Sequence, residues 1–110
     1  MSRAPYLSPP PIGLAHRGGT ATAAGVGIEN SLAAFRGAVE LGYAYLETDV
    51  HTTSDGVLVA FHDDTLDRTT DGTGALVALS AAELAQVRIG GREPVALLSE
   101  LLEAFPRARL

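Results

Sequence analysis

The chain contains no cysteine, which excludes a disulfide framework, thiolate zinc sites and a cysteine nucleophile. Its eight basic residues are all arginine and form no run, so no nucleic-acid partner is expected. No apolar run approaches the ~20 residues of a membrane span. The N-terminal stretch MSRAPYLSPPPIGL carries one arginine and no apolar core of signal-peptide length, which predicts a cytoplasmic protein without a transmembrane segment. The formal net charge of −5 is a mild acidic balance that mainly favours solubility. There is no internal repeat, and no low-complexity tract beyond a Pro and Ala bias.

What is present is one domain's worth of chain, 110 residues, able to bury a core without disulfide or metal support. Residues 1–11 read as an irregular Pro-rich leader and 12–110 as the folded part. PIGLAHRGG is a short apolar run ending in His16 and Arg17 and broken by Gly18-Gly19, a buried strand that delivers polar residues at its C-terminal end. TATAAGVGI is a small-residue loop. ENSLAAFRGAVELGY predicts a helix, with Leu32, Phe35, Ala38 and Val39 at helical spacing. Asn30 or Ser31 is its N-cap and Gly42 its stop. AYLETDV is a second strand, SDG a turn and VLVAFH a third strand. The polar loop DDTLDRTTDGTG leads to SAAELAQV, a short helix capped by Ser80. LLSELLEAF is a last helix ended by Pro106, and RARL opens a further strand. Strand–helix alternation with apolar strands predicts a parallel α/β architecture. A sheet of three parallel strands has open edges, and a strand starting at Arg109 has no room to finish. The expectation is therefore a truncated chain.

Successive side chains of a strand alternate faces, which puts Glu47, Asp49 and His51 on one side of the second strand and Thr48 and Val50 on the other. Such a face is either solvated or holds a hard divalent cation, because two buried carboxylates repel each other and oxygen ligands suit Mg²⁺, Ca²⁺ or Mn²⁺. His16 and His62 close the flanking strands, and parallel α/β folds gather their sites at the C-terminal ends of strands. Two imidazoles bracketing an acidic pair supply a proton acceptor and a proton donor near neutral pH. The planar fork of Arg17 suits a phosphate or carboxylate. Glu29 and Asn30 precede a helix, where they either cap it or share an anion site. Asp63 either orients an imidazole or belongs to a turn, and spacing alone gives Arg68 no role. Together these residues point to metal-assisted hydrolysis of a phosphorylated substrate.

The motifs AHRGG, IENSLAAF, LETDVHTTSDGVLVAFHDDTLDRTT and DGTG occur in the order found in glycerophosphodiester phosphodiesterases, and the sequence from Ile12 to Pro106 resembles the N-terminal part of that family. The resemblance implies a (β/α)₈ TIM-barrel phosphodiesterase fold, here truncated to about its first three strands, since a full barrel needs ~250 residues. It implies cleavage of a small-molecule glycerophosphodiester to an alcohol and glycerol 3-phosphate with a divalent cation, Mg²⁺ or Ca²⁺. Carried over by motif, His16 and His62 would be the acid/base pair, Glu47 and Asp49 the metal ligands, and Arg17, Glu29 and His51 the substrate contacts or their supports. The loop between Gly19 and Glu29 is longer than in many members, and a further ligand glutamate is expected on the strand after Pro106. On this reading the chain alone would be inactive. The alternatives are a related two-histidine phosphodiesterase of the phospholipase D type, which would release a cyclic phosphate, and a non-catalytic barrel remnant acting as a binding module.

Overall fold

The computed structural model describes residues 14–19 and 27–110. The Pro-rich leader and the small-residue loop predicted around residues 20–26 lie outside the described residues. The parallel unit comes first in the chain. Strand β1 (Leu14–Ala15) pairs in parallel with β2 (Tyr45–Leu46), Leu14 opposite Tyr45 and Ala15 opposite Leu46. Helix α1 (Leu32–Glu40) makes the crossover, as a parallel pair requires. Arg109 bridges Tyr45 in parallel on the other side of β2, and its carbonyl accepts from Leu46 N at 2.8 Å. The strand opening expected from RARL is present as this single bridge at Arg109.

Helix α1 starts at Ser31, whose hydroxyl accepts from Ala34 N at 3.1 Å, a side-chain cap that satisfies one of the free N–H groups of the first turn. Asn30 is not the cap; it stands outside the helix with φ 63°. Gly42, with φ 96°, ends the helix. The face turned to the core is Ala34, Phe35 and Ala38, while Val39, expected on that face, is exposed. The small side chains let α1 approach the sheet closely, and burying Phe35 alone contributes about 1.5–3 kcal/mol.

The predicted third strand is present but not parallel. Strands β3 (Val50–Thr52) and β4 (Leu58–Ala60) form an antiparallel hairpin, Val50 opposite Ala60 and Thr52 opposite Leu58. The physical reason is the connection: residues 53–57 hold only a tight turn, too short for the crossover a parallel neighbour needs. Thr53 organises that turn by donating to Asp55 Oδ1 at 2.6 Å and accepting from Val57 N at 3.0 Å.

Strand β4 separates two cores, because alternate residues face opposite ways. Val59 and Phe61 join Ile28, Leu66, Leu76, Leu84 and Ile89 in one cluster. Ala60 faces Ala15, Phe35, Leu46 and Leu101 in the other. Helix α2 (Ala81–Leu84) carries the predicted Ser80 cap with a reciprocal bond to Glu83. A short hairpin not anticipated from the sequence, β5 (Arg88–Ile89) and β6 (Glu93–Pro94), turns at Gly90-Gly91. Helix α3 (Leu98–Ala104) ends at Phe105, before Pro106.

Candidate active site

Of the residues singled out from the sequence, His16 and Arg17 follow β1, Glu47 and Asp49 follow β2 and His62 follows β4, while Glu29 precedes α1 and His51 lies within β3. His16 follows Ala15 directly, in a single turn of 3₁₀ helix over His16–Gly18. Arg17, Gly18 and Gly19 all hold positive φ (50°, 80° and 83°). For arginine this is a sparsely populated conformation, of the kind that concentrates at functional sites. It is over-determined from both sides. Arg17 N donates to Glu47 Oε2 at 3.2 Å, and Arg17 O accepts from Asn30 N at 2.7 Å. Glu47 begins just beyond β2, its own N–H bonded to Ala15 O at 2.9 Å. The same Glu47 oxygen lies 3.5 Å from His16 Nε2.

His62 arrives from the hairpin, one residue past Phe61, whose N–H donates to Asp49 O at 2.9 Å. Arg17 Nη2 stands 3.0 Å from His62 Nε2, and His62 Nδ1 stands 2.7 Å from Asp63 Oδ1. A guanidinium only donates and an ionised carboxylate only accepts. These contacts match an Nδ1–H directed at Asp63 and an Nε2 that accepts from Arg17. His51 Nε2 donates to the main-chain carbonyl of His62 at 2.9 Å, so among the described residues its contact is with the backbone that carries His62.

Arg17 Nη1 also lies 3.5 Å from Glu29 Oε2. Glu29 is bound on both oxygens by Arg68, at 3.1 and 3.0 Å, and Arg68 grips Asp63 at 2.8 and 3.0 Å as well. Arg68, then His62, hold the Asp63 carboxyl well below the usual carboxylate range. Asp63, then Glu29, raise Arg68 beyond its ordinary value. Asp63 and Arg68 are thus central to the cluster, although spacing alone left both without a firm role. So is Asn30, fully buried, whose Oδ1 accepts from Thr48 Oγ1 at 2.7 Å and pins the segment between the two carboxylates.

The strand face proposed for Glu47, Asp49 and His51 needs correction. Strand β2 ends at Leu46 and β3 begins at Val50, so residues 47–49 lie outside regular strand and strict alternation does not apply. Among the described residues, Asp49 Oδ2 is buried without a hydrogen-bond partner, an acceptor that lacks compensation for its desolvation. Carboxylate oxygens of this kind fit a hard cation in chemistry. In number they are incomplete: no group of three ligating side chains is assembled among the described residues.

The site thus combines a parallel βαβ unit carrying a histidine–arginine turn and carboxylates with a second histidine that follows the antiparallel hairpin. The glycerophosphoryl diester phosphodiesterase family model matches residues 16–108, and the chain belongs to that family. It is 48% identical over 71 residues to glycerophosphodiester phosphodiesterase 1 of Homo sapiens, covering 64% of this chain and 20% of the human protein. It is 42% identical over 77 residues to the glycerophosphodiester phosphodiesterase of Caldanaerobacter subterraneus, covering 70% of this chain and 30% of that protein. Among solved structures, the Oleispira antarctica phosphodiesterase in complex with the product sn-glycerol-3-phosphate superposes with a TM-score of 0.78 at 36% identity, over 87% of this chain and 40% of that one. The chain therefore adopts the fold of the corresponding part of the family's (β/α)₈ barrel, and spans less than half the length of these relatives.

Proposed function

We propose that this chain carries the histidine–arginine part of a metal-assisted phosphodiesterase that hydrolyses a glycerophosphodiester to an alcohol and glycerol 3-phosphate. The observation that carries the reading is the 3.0 Å approach of Arg17 Nη2 to His62 Nε2, beside a Glu47 oxygen that His16 also faces. The guanidinium meets one imidazole directly, and the other imidazole faces the Glu47 oxygen that accepts from the Arg17 backbone N–H. On this reading a phosphate would bind at Arg17, with the two histidines as its proton-transfer groups.

His62 is assigned as the proton acceptor of the pair: its Nε2 accepts the Arg17 Nη2 N–H, which a phosphate at Arg17 would draw away, and Asp63 holds its Nδ1. His16, largely exposed next to Glu47, is placed to return a proton to the departing alkoxide. Such transfers contribute about 10²–10⁴-fold to rate. Arg17 stabilises charge on the phosphoryl oxygens, and Glu29 holds the Arg17 guanidinium in place. His51 steadies the main chain at His62. Glu47 and Asp49 are the side chains that would hold Mg²⁺ or Ca²⁺, whose chemistry when bound is to polarise a phosphoryl oxygen. No helix among the described residues is long and apolar enough to cross a membrane.

The test is product identity, followed by phosphorus NMR with glycerophosphocholine as substrate. The enzyme is the longest reading frame that contains this chain. Glycerol 3-phosphate formed by the wild type and lost in His62→Ala supports the reading. A cyclic phosphate product would assign the site to the phospholipase D type of chemistry instead.

A further inference from the structure

The acid/base pair and the phosphate contact account for His16, Arg17 and His62, but not for Arg68, whose side chain makes four hydrogen bonds in the cluster. We infer that Arg68 is a positioning residue of this site, one guanidinium that clamps Glu29 and Asp63 together and so fixes the His62 ring and the Arg17 guanidinium relative to each other. The inference rests on the proposed phosphodiesterase reading and adds to it a residue whose side chain works through its neighbours.

The geometry is that of two side-on pairs on one planar fork. Arg68 Nε and Nη2 face Asp63 Oδ2 and Oδ1 at 2.8 and 3.0 Å. Arg68 Nη1 and Nη2 face Glu29 Oε1 and Oε2 at 3.1 and 3.0 Å. An arginine offers five N–H donors in a fixed plane, and these four bonds commit four of them. Little is left for a substrate, even though Arg68 lines a cavity of about 270 Å³ with Gly27, Glu29, Thr69 and Gly90. Its influence must therefore pass through what it holds.

Both carboxylates lead directly to the reacting groups. Asp63 Oδ1 accepts from His62 Nδ1 at 2.7 Å, and Glu29 Oε2 lies 3.5 Å from Arg17 Nη1. The loop closes where Arg17 Nη2 meets His62 Nε2 at 3.0 Å. The chain Arg17–Glu29–Arg68–Asp63–His62 is thus a ring of five side chains drawn from three separate segments: the β1 end, the start of α1 and the loop after β4. Without the clamp, the Asp63 carboxylate would turn freely about its own bonds and the His62 ring with it. Lysine would keep the charge but not the two side-on pairs, because an ammonium is a point donor without the planar fork.

The experiment compares wild type, Arg68→Met, Arg68→Lys and Asp63→Asn in the longest reading frame containing the chain. The tautomer of His62 is read by NMR of nitrogen-15-labelled histidine without substrate, its signal assigned by loss in His62→Gln, and kcat and KM are measured with glycerophosphocholine. A positioning role predicts that Arg68→Met loses the single Nδ1–H tautomer of His62. It predicts a kcat lower by about 10²-fold, the scale of a misplaced catalytic group, with KM nearly unchanged. Arg68→Lys, which preserves charge and fold, should recover only part of both. Combined with Asp63→Asn, Arg68→Met should cost less than the product of the two single effects, because they act in one chain. An unchanged His62 tautomer in both Arg68 variants, or a raised KM with kcat intact, would overturn the inference. A wild type that cleaves no glycerophosphodiester would overturn the proposed function alone, since the tautomer readout needs no turnover.

Discussion

Gly18→Ala tests how tightly the histidine–arginine turn is packed. Gly18 holds φ +80°, and a methyl group there would meet Phe35 Cδ1 at 3.2 Å and Ala34 Cβ at 3.3 Å. Both neighbours are completely buried in α1, so neither can swing away into solvent. Two costs add. A left-handed conformation costs an L-residue about 1–2 kcal/mol, and overpacking a filled core costs about 1–3 kcal/mol more. Gly42→Ala is the matched control. Its φ is +96°, and nothing lies within 4 Å of the added methyl, so it meets the backbone cost alone. The entropy that alanine removes from the unfolded chain is shared by both variants and cancels in the comparison. Gly18→Ala should therefore be less stable than Gly42→Ala by about 1–3 kcal/mol. In urea, with m near 2 kcal/mol/M, that separates the midpoints by about 0.5–1.5 M. Because Arg17 is bonded through its own backbone to Glu47 and Asn30, Gly18→Ala should also slow turnover more than Gly42→Ala. Equal midpoints for the two variants would refute the claim that the turn is pressed against α1.

Further outcomes follow from single residues. The folded chain holds Asp63 below its ordinary value of 3.8, chiefly through Arg68 and then His62, so its ionised form favours folding. That contribution is full above the unfolded value and is lost as pH falls through the lower folded value. The stability gap between wild type and Asp63→Asn, measured by chemical denaturation, should shrink below about pH 4, and a gap independent of pH would contradict the Arg68 and His62 contacts. Asp49→Asn removes a charge whose Oδ2 has no hydrogen-bond partner among the described residues. Stability without divalent cation should hold or rise, and the thermal shift given by Mg²⁺ or Ca²⁺ should disappear; a variant that keeps the shift would remove Asp49 from the ligand set. Ser80→Ala deletes the hydroxyl that accepts from Glu83 N at 3.1 Å and should cost about 0.5–2 kcal/mol in a denaturant titration, with activity unaffected.

The parts of the site that could be read from the sequence were those set by local pattern. The apolar run ending in His16-Arg17 marked the C-terminal end of β1, and Ser80 and Gly42 marked helix ends by their own chemistry, whereas the second strand was expected to run on to Val50 and stops at Leu46. The direction of β4 was also legible, since the five-residue link after Thr52 cannot make a parallel crossover, but strand order alone suggested otherwise. The Gly90-Gly91 hairpin was signalled by its turn residues and hidden by strands of two residues each. In α1, helical spacing fitted both Val39 and Ala34, and only the packed sheet selects the smaller residue. The Arg68 clamp could not be read at all. Glu29 lies 39 positions from Arg68 in the chain, and no periodicity links residues that only tertiary folding brings together.

We propose that His16, Arg17, Glu47, Asp49 and His62 belong to one metal-assisted phosphodiester site. The measurement to make is glycerol 3-phosphate release from glycerophosphocholine, with Mg²⁺ or Ca²⁺ and with chelator, in the longest reading frame containing the chain. Release should depend on the cation and be abolished by His16→Ala and by His62→Ala. Release that persists in chelator, or in both histidine variants, would contradict this assignment.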